Sequence, residues 1–591
     1  MRTSFSLAAL FRNPIFWLGV AMCLFGLVIL RFNGPNWKKS IINSDGRGYY
    51  YFLPALSTAD KTYQSTLESE KQIVGNSAPQ LYILKTDEGK YTNKCYPGVA
   101  VLQSPFYLLA TGLDYLSGAE FNAYSDTHLL AFFWASMLYV FLSMVFFQKS
   151  LALFFGSVKY TWLISILLVF GTNVWYQAVF YCGLSHHYSL FLFSVFCWNV
   201  LRYKRDPHLK HLVYTGIILG LLFLVRPTNV MVLAFLPFLL GSWESFVKVW
   251  KLLLQFRNTH LISFVISCAV VLSILPFITY WQTGHFFYWS YQGEGFDFKG
   301  KHLIDTWFSY RVGIFVLTPL ALLALVGLFH WLRKNSYLFI TWLLPFVAIT
   351  YILSSWWCWD YQSFFGHRGF TEFQFLFSFP LLFSFQVIRS SGLKYTLLGL
   401  VLMYMGIRSY QKLTGIYNQQ RFTAYTYWKS MFDFNSRIGD KYYVFANCQP
   451  YGRVVSSKEL VPEKLRYEEF DENKEFGSGT DYFFTDKSKH IRYFCEVHIN
   501  KQLLNDGDWK GVNVVFVGES VAGEIVHYSS FPMYHFYKEG RKEWSVFDIQ
   551  EEYYPFFDSS HKMIVYIWNK GKKQFKVDDF RIQLKKIDSR K

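Results

Sequence analysis

The stretch "PIFWLGVAMCLFGLVIL", residues 14–30, is followed after a short polar gap by "NSDGRGYYYFLPAL", residues 43–56. The first stretch is close to the roughly 20 apolar residues that carry a helix across a bilayer. Arg2 and Arg12 precede it and no small-residue cleavage site follows, so it is typical of an uncleaved membrane anchor. The second stretch then places a single acid, Asp45, next to the membrane surface.

The composition of the whole chain is that of a membrane protein with many spans. Of its 591 residues, 52% are hydrophobic and only 17% are charged, which is below the usual quarter of a soluble domain. Ten further apolar runs predict a polytopic α-helical protein of about eleven spans, and these runs are residues 127–147, 160–180, 186–202, 211–225, 228–241, 260–281, 312–331, 337–355, 370–388 and 395–410. The net charge of +17 fits Lys and Arg near lipid phosphates. Since no basic run belongs to a nucleic-acid-binding fold, we expect no nucleic acid partner.

The charges of the short loops decide whether residues 97–117 form a further span. If this stretch is left out, Lys and Arg collect in the loops on one side, and the loops around 117–126 and 178–186 hold none, as the positive-inside rule requires. We therefore predict an inside N-terminus, an outside C-terminus and a long outer loop over residues 32–126 that carries Asp45. The polar residues of 97–117 also fall on one stripe, as in a helix lying in the interface: Gln103, Tyr107, Thr111 and Asp114.

From about residue 440 the sequence changes from apolar spans to short β-rich runs. Phe580, Ile582 and Leu584 alternate with polar residues, which is the period of a half-buried strand. Several such runs separated by turn residues predict an antiparallel β-sandwich. The predicted order is a transmembrane domain over 1–410, a connector over 411–440 and a β-sandwich on the outer side over 441–591. This outer part contains two cysteines, Cys448 and Cys495, which either form a disulfide or stay free thiols.

Asp45 is the candidate catalytic base. An acid close to the bilayer surface is costly unless it is solvated or paired, so it is a functional hypothesis by default. Gly46 and Gly48 would let the backbone turn tightly and approach a ligand, and Tyr49 is the first of three tyrosines that suit an interface. The alternative is structural: Asp45 ends a helix or pairs with Arg47.

Three later segments place cations and aromatic residues on the same outer side. His186 and His187 lie at an outer helix start, where they could bind metal, shuttle protons or meet a phosphate; the alternative is a hydrogen-bonded interfacial pair. Arg226, in "LVRPTNV", could meet an anionic headgroup or only snorkel. The loop 354–373 adds a guanidinium suited to a phosphate, aromatic walls and further polar groups, namely Arg368, His367, Trp356, Trp357, Asp360 and Glu372. Together these groups indicate a site for a lipid phosphate and a sugar ring or isoprenoid tail.

The order of these motifs resembles that of the GT-C glycosyltransferases, the integral-membrane enzymes that use polyprenyl-phosphate sugars. They include the protein O-mannosyltransferases and the aminoarabinose transferase of lipid A. The similar segments span roughly residues 10–410 and are "SDGRGYYYFLPAL", "YPGVAVLQSPFYLLA", "SHHYSLFLFS", "LVRPTNV" and "SFFGHRGF". The mannosyltransferases have an Asp-Glu pair in the first outer loop, whereas Gly46 follows Asp45 here, so their acceptor chemistry does not carry over.

The resemblance implies a GT-C fold in a bacterial inner membrane, with the active site and the C-terminal domain on the periplasmic side. It implies sugar transfer from a polyprenyl-phosphate donor to a hydroxyl of a glycolipid, glycan or protein, with Asp45 as general base. The donor phosphate would be bound by Arg368, His367, Arg226 and Arg47, and the substrates by Tyr49, Tyr50, His186, His187, Trp356, Trp357, Asp360 and Glu372. No cofactor is certain, and a divalent metal stays open because the sequence offers no ligand set.

Two alternatives to this function, and one for the C-terminal domain, also follow from the sequence. A lipid-linked oligosaccharide ligase would use a pyrophosphate donor on a similar scaffold. A transporter of cell-envelope polysaccharide usually has two matching halves, and no such symmetry is evident. The C-terminal run "VYIWNKGKKQFKVDDFRIQL" resembles carbohydrate-binding jelly rolls, which implies sugar or acceptor binding, with a structural cap as the alternative.

Overall fold

The computed structural model divides the chain into two compact units, Met1–Ser409 and Tyr410–Lys591. Few residues of the predicted connector are described, and Cys448 lies outside the described residues, so the cysteine pair stays a prediction. The described residues are 14–32, 37–74, 82–157, 159–255, 259–291, 294–299, 302–361, 366–413, 427–428, 431–432, 434, 453–477, 479–488, 491–504, 511–533, 545–553, 555 and 560–588.

The first unit is helical, and every predicted apolar run overlaps a helix. Its longer helices are Pro14–Phe32, Gln64–Val74, Gly98–Leu116, Asp126–Phe155, Thr161–Phe170, Ser185–Arg205, Leu209–Val225, Trp243–Gln255, Thr259–Leu272, Ile274–Thr283, Pro319–Lys334, Ser336–Ser354, Phe375–Val387 and Ser391–Leu413. Shorter helices are Trp37–Ile41, Asp45–Tyr50, Phe52–Ser57, Val174–Phe180, Leu236–Leu240, Leu303–Phe308 and Ile314–Leu317, with 3₁₀ segments at Pro227–Phe235, Arg368–Phe370 and Glu372–Gln374. A small hairpin joins β1 (Ile83–Lys85) to β2 (Tyr91–Asn93).

Several of these helices are long and apolar enough to cross a membrane. By length and composition three described helices qualify alone, Asp126–Phe155, Thr259–Thr283 and Ser336–Ser354. The number is up to five if each of two bent pairs is one span, Thr161–Phe170 with Val174–Phe180 and Pro227–Leu240 with Trp243–Gln255. The chain is therefore a multi-pass membrane protein by its helices, while the total of eleven spans and their orientation stay predictions.

The apolar runs 211–225 and 228–241 are separated by a break at Arg226 and Pro227. The helix Leu209–Val225 ends there, and Arg226 has extended backbone with φ −158°, because the proline ring clashes with a helical conformation of the residue before it. The same helix end touches the start of the helix Gly98–Leu116. A Cβ on Gly98 would lie 2.3 Å from the carbonyl carbon of Leu224, so only glycine permits this approach.

The helix Gly98–Leu116 keeps its polar stripe against the protein. Nε2 of Gln103 donates to the hydroxyl of Tyr188 over 2.6 Å, and the Thr111 hydroxyl lies 3.0 Å from Nε2 of His128. The opposite side is apolar and exposed: Leu108, Leu109, Leu113 and Leu116. This two-sidedness is what a helix at a membrane interface requires.

The second unit is β-rich, and all its described strand pairs are antiparallel. Its strands are β3 (Arg453–Glu459), β4 (Glu468–Phe470), β5 (Thr480–Phe483), β6 (Ile491–Leu503), β7 (Val512–Glu519), β8 (Ile525–Pro532), β9 (Ser545–Tyr553), β10 (Lys562–Asn569) and β11 (Phe575–Asp588). One sheet has the order β5-β10-β7-β8, and the other β3-β11-β6-β9 with β4 also paired to β11. The predicted alternation on β11 is confirmed, since Phe580, Ile582 and Leu584 are all buried in a core that both sheets share.

Candidate active site

Asp45 is the first residue of a short helix that lies against the start of the helix Ser185–Arg205. The tight turn expected of the glycines is made instead by Ser44, whose φ is +47°. A Cβ on Gly46 would lie 2.8 Å from Cα of Gly183, so two glycine backbones touch here. Gly46 thus serves close packing, and this contact fixes Asp45 beside the second helix.

The carboxylate of Asp45 is paired but still accessible. Its Oδ2 lies 3.1 Å from Nη1 of Arg368, and its Oδ1 accepts a hydrogen bond of 3.1 Å from the hydroxyl of Tyr82. The Asp45 side chain is 38% exposed, whereas that of Arg368 is 9% exposed. Burial acts to raise the pKa of Asp45, but the Arg368 charge, the Tyr82 hydrogen bond and the charges of His186 and Arg226 together hold it below its usual value.

Arg368 is held in place by a short loop that is anchored to a neighbouring helix. Gly366 adopts a φ of +65° directly beside the Asn173 side chain, a conformation that favours glycine. The amide of Asn173 donates to the hydroxyl of Thr371 over 3.1 Å and accepts a hydrogen bond of 2.6 Å from Gln374. These bonds tie the segment after the Arg368–Phe370 turn to the bundle, and Gly366 packs on Asn173 before the turn, so the guanidinium is preorganised.

A second ionic cluster lies next to this pair. Nδ1 of His186 lies 2.7 Å from Oε2 of Glu372, and Nη1 of Arg226 lies 3.1 Å from Oε1 of the same carboxylate. The Arg226 guanidinium also lies 3.0 Å from Nδ1 of His186 and packs over the Tyr361 ring at 5.7 Å. Glu372 is fully buried, so its charge is available only to these partners. The structure therefore brings this cluster together with Asp45 and Arg368. We give the name Asp45 site to the set formed by Asp45, Arg368, Tyr82, His186, Arg226 and Glu372.

His367 is buried and uncharged. Neither of its ring nitrogens has a hydrogen-bond partner among the described residues, and the ring packs against Tyr361 at 5.5 Å. Burial lowers the pKa of His367 to about 4. The role of His367 at a donor phosphate stays a prediction, and a neutral imidazole can offer one N–H donor and one acceptor to it.

Arg47 is turned away from Asp45. Its guanidinium forms a two-pronged ion pair with Glu70, with Nε–Oε1 of 2.8 Å and Nη2–Oε2 of 2.7 Å. The hydroxyl of Tyr51 donates to the same carboxylate over 2.6 Å. Both charged side chains are buried, at 10% and 2% exposure. The suggested Asp45–Arg47 pair is wrong, and the Nε–Nη2 edge of the guanidinium, which could bind a phosphate with two hydrogen bonds, is already bonded to Glu70.

The remaining motif residues divide between the site and the core. Tyr49 is buried with its hydroxyl 3.4 Å from that of Ser185, on the side of the Asp45 site. The hydroxyl of Tyr50 donates to the Ala123 carbonyl instead. Nε2 of His187 lies 3.0 Å from the Cys182 carbonyl. Tyr50 and His187 are therefore bonded to backbone within the bundle, unlike Tyr49.

The tryptophans of the 354–373 loop form an aromatic rim. Trp356 packs on Phe296 at 4.8 Å, and Trp357 is 54% exposed with its backbone N–H bonded to the Gly295 carbonyl. Asp360 accepts a long contact of 3.6 Å from the Cys358 thiol.

Tyr82, Glu70 and Tyr361 were missed by sequence reasoning. A single tyrosine in "QLYILK" or one of the two acids in "STLESEK" carries no pattern that marks it. Tyr361 adopts φ +50°, and a Cβ on Gly369 would lie 2.7 Å from its ring. The one available signal was this glycine in "GHRGF", since a glycine next to a functional residue indicates a close approach.

Among the described residues, no group of three or more His, Cys, Asp or Glu side chains is arranged to hold a metal ion. In the Asp45 site the candidate ligands are the His186–Glu372 pair, and Arg226 occupies the third position around it. A guanidinium there opposes a bound cation by charge repulsion. These residues do not fit a metal centre.

No family model and no curated protein matches this chain. Among solved structures it is similar to the single-particle cryo-EM structure of arabinosyltransferase EmbB from Mycobacterium smegmatis, with 12% sequence identity and a TM-score of 0.29. The match covers 76% of this chain and 57% of that chain. This chain spans little more than half the length of that arabinosyltransferase.

Proposed function

We propose that this protein is a GT-C-type membrane glycosyltransferase that moves a sugar from a polyprenyl-phosphate donor to a hydroxyl acceptor. The observation that carries this proposal is the contact of 3.1 Å between the accessible carboxylate of Asp45 and the buried guanidinium of Arg368. A base and an anion-binding group are the two functions that such a transfer requires. In the proposed orientation the Asp45 site faces the periplasm of a bacterial inner membrane.

The reaction proceeds by attack of the acceptor oxygen on the anomeric carbon. The new carbon–oxygen bond forms as the bond from that carbon to the donor phosphate oxygen breaks, and the electron pair leaves with the phosphate. Asp45 receives the proton of the acceptor hydroxyl. The polyprenyl phosphate gains one negative charge as it leaves, and Arg368 is placed to stabilise that charge in a partly dry site.

The ion pair between Asp45 and Arg368 has a consequence for base strength. A carboxylate that a cation stabilises has a lowered pKa and is a weak base. If the donor phosphate takes over the Arg368 guanidinium, Asp45 loses its strongest electrostatic partner and its pKa rises. Donor binding therefore activates the base, and the free enzyme holds it in a resting pair.

The cluster of Arg226, His186 and Glu372 supports the same step. Arg226 is 17% exposed at its side chain, so one part of the guanidinium remains open to a ligand. Glu372 fixes its position and, through Nδ1 of His186, orients the imidazole. We assign Arg226 to the donor phosphate together with Arg368. Arg47 and Glu70 are assigned to holding the helix that carries Asp45.

The C-terminal sandwich offers a separate surface for a glycan. Phe476 is 55% exposed and stacks on Trp568 with ring centroids 6.3 Å apart, and Tyr566 packs edge-on to Phe476 at 5.9 Å. The indole N–H of Trp568 donates to Glu475 over 3.0 Å. Exposed aromatic patches rimmed by polar groups mark binding sites. We propose that this patch binds an acceptor or product sugar, and Trp568→Ala is expected to abolish glycan retention without unfolding the sandwich.

Purified protein with defined donors tests the proposed function. We expect release of polyprenyl monophosphate and appearance of glycosylated acceptor when a polyprenyl-monophosphate sugar is supplied. Transfer only from a pyrophosphate-linked oligosaccharide would favour the ligase. Lipid-linked glycan that crosses proteoliposomes without any change of covalent linkage would favour the transporter. Mass spectrometry of envelope glycolipids and glycoproteins from a deletion strain then identifies the sugar and the acceptor.

A further inference from the structure

A cavity of about 400 Å³ lies at the end of the bundle away from the Asp45 site. Along the helix Ser185–Arg205, His186 belongs to the Asp45 site and Lys204 lines this cavity. At 1.5 Å per residue the two positions are about 27 Å apart, close to the thickness of the hydrocarbon core of a bilayer. The cavity therefore opens near the opposite membrane face.

The lining of this cavity is cationic and aromatic. Its residues include Lys204, Lys334, His330, Phe154, Phe383 and Trp331, and we name it the basic pocket. No acid lines it, and no ion pair of Lys204 or Lys334 occurs among the described residues. Lys204 and Lys334 are both exposed, so their ammonium groups are open to a ligand that enters the pocket.

The backbone at the mouth of the pocket is built for close approach. Gly241 adopts φ +80°, and a Cβ there would lie 3.2 Å from Nζ of Lys204. The hydroxyl of Ser242 accepts from the N–H of Ser245 over 3.2 Å at the start of the helix Trp243–Gln255. The nearby acid Glu244 is bonded to Ser242 and to its own backbone N–H.

The helix Trp243–Gln255 provides a second, independent observation. It leaves the preceding helical segment at a bend of 116°, and none of its residues is buried. Trp243, Phe246 and Trp250 share one face and pack ring to ring, whereas Lys248 and Lys251 lie on another. A helix with one aromatic face and a cationic side lies in the plane of an anionic membrane surface.

We propose that the basic pocket binds the phosphate headgroup of an anionic phospholipid from the leaflet opposite the Asp45 site. Lys204 and Lys334 meet the phosphate, the hydroxyls of Ser242 and Ser245 are within the same lining, and Phe154 and Phe383 contact the first part of the acyl chains. The amphipathic helix holds the mouth at headgroup depth. Basic pockets between transmembrane helices are suited to such headgroups. This site does not depend on the proposed sugar transfer.

Native mass spectrometry of the full chain in detergent tests this proposal. Phosphatidylglycerol, phosphatidylcholine and inorganic phosphate are added separately to the wild-type protein and to the double variant Lys204→Ala/Lys334→Ala. We expect wild-type protein to retain phosphatidylglycerol at least tenfold better than phosphatidylcholine, and the double variant to lose this preference. A matched control, Lys149→Ala/Arg333→Ala, removes two cations that do not line the pocket and is expected to retain it.

The outcomes that overturn the proposal are equally specific. Equal retention of the two lipids by wild-type protein would do so without reference to any variant. The proposal is also overturned if the control and the test variants lose the preference for phosphatidylglycerol equally. Full displacement of phosphatidylglycerol by millimolar inorganic phosphate would overturn it too, because it would indicate a free-anion site. Since all four substituted side chains are exposed or half-buried, an unchanged helical circular dichroism spectrum is expected.

Discussion

The pair of Arg47 and Glu70 decides whether the arginine of the "SDGRG" motif is part of the scaffold or of the donor site. Removing one partner of a buried ion pair leaves an uncompensated charge and costs roughly 3–5 kcal/mol. The geometry here places Glu70→Leu at the upper part of that range, because the carboxylate accepts from both prongs of Arg47 and from Tyr51. Replacing all the members by apolar residues of similar volume is instead expected to be nearly neutral.

Two variants separate these cases: Glu70→Leu alone, and the triple variant Arg47→Met/Tyr51→Phe/Glu70→Leu. Unfolding by denaturant in detergent, followed by circular dichroism, measures the stability of each. We expect the single variant to lose several kcal/mol by the range above and the triple variant to regain most of it. A control at an exposed pair, Asp126→Asn opposite Lys38, is expected to cost no more than about 1 kcal/mol.

Transfer activity of the triple variant distinguishes the two roles. If Arg47 belongs to the scaffold, a stable triple variant keeps wild-type donor affinity. A triple variant that folds as well as wild type, yet has a donor KM raised at least tenfold, would refute this reasoning and return Arg47 to the phosphate site.

Three further predictions concern the Asp45 site. Gly46→Ala is expected to lower the free energy of unfolding by about 1–3 kcal/mol and to reduce transfer about 100-fold, because the new Cβ meets backbone and displaces Asp45. The control is Gly112→Ala, where a Cβ would meet open space. Equal transfer activity of the two variants would contradict the packing argument. Arg368→Ala is expected to raise the donor KM by roughly 10- to 100-fold, from the loss of about 1.5–3 kcal/mol for a charged hydrogen bond, and an unchanged donor KM would move the phosphate site elsewhere. The lowered pKa of Asp45 keeps the base ionised as pH falls, so kcat/KM should stay level until the pH drops below the usual range for aspartate. Tyr82→Phe removes a hydrogen bond that lowers this pKa, so the acid limb of the kcat/KM profile should move to higher pH. An acid limb that does not move would count against the role of Tyr82.

Much of the fold was predictable because hydrophobic length and period are local properties. The apolar runs coincide with helices, and the alternation of Phe580, Ile582 and Leu584 gave the inner face of β11. The meeting of Asp45 with Arg368 was expected only as a shared membrane side. Their contact depends on the Gly46–Gly183 crossing and on Asn173, which join segments far apart in sequence.

The motif residues show why neighbours in sequence need not share a site. Residues two apart on a helix do not face each other, so Asp45 meets Arg368 while Arg47 meets Glu70. Consecutive residues are about 100° apart, which sends Tyr49 towards Ser185 and Tyr50 towards the core. Reading a motif as one functional unit therefore overcounts the residues at the site.

The most direct test of the central claim is the transfer rate of Asp45→Asn at saturating donor. The substitution keeps the size of the side chain and removes the base, so we expect transfer to fall by roughly 10²- to 10⁴-fold. Expression, thermal stability and donor binding should remain close to wild type, because the Asp45 side chain is 38% exposed. A folded Asp45→Asn protein that transfers sugar at the wild-type rate would contradict the assignment of Asp45 as the base.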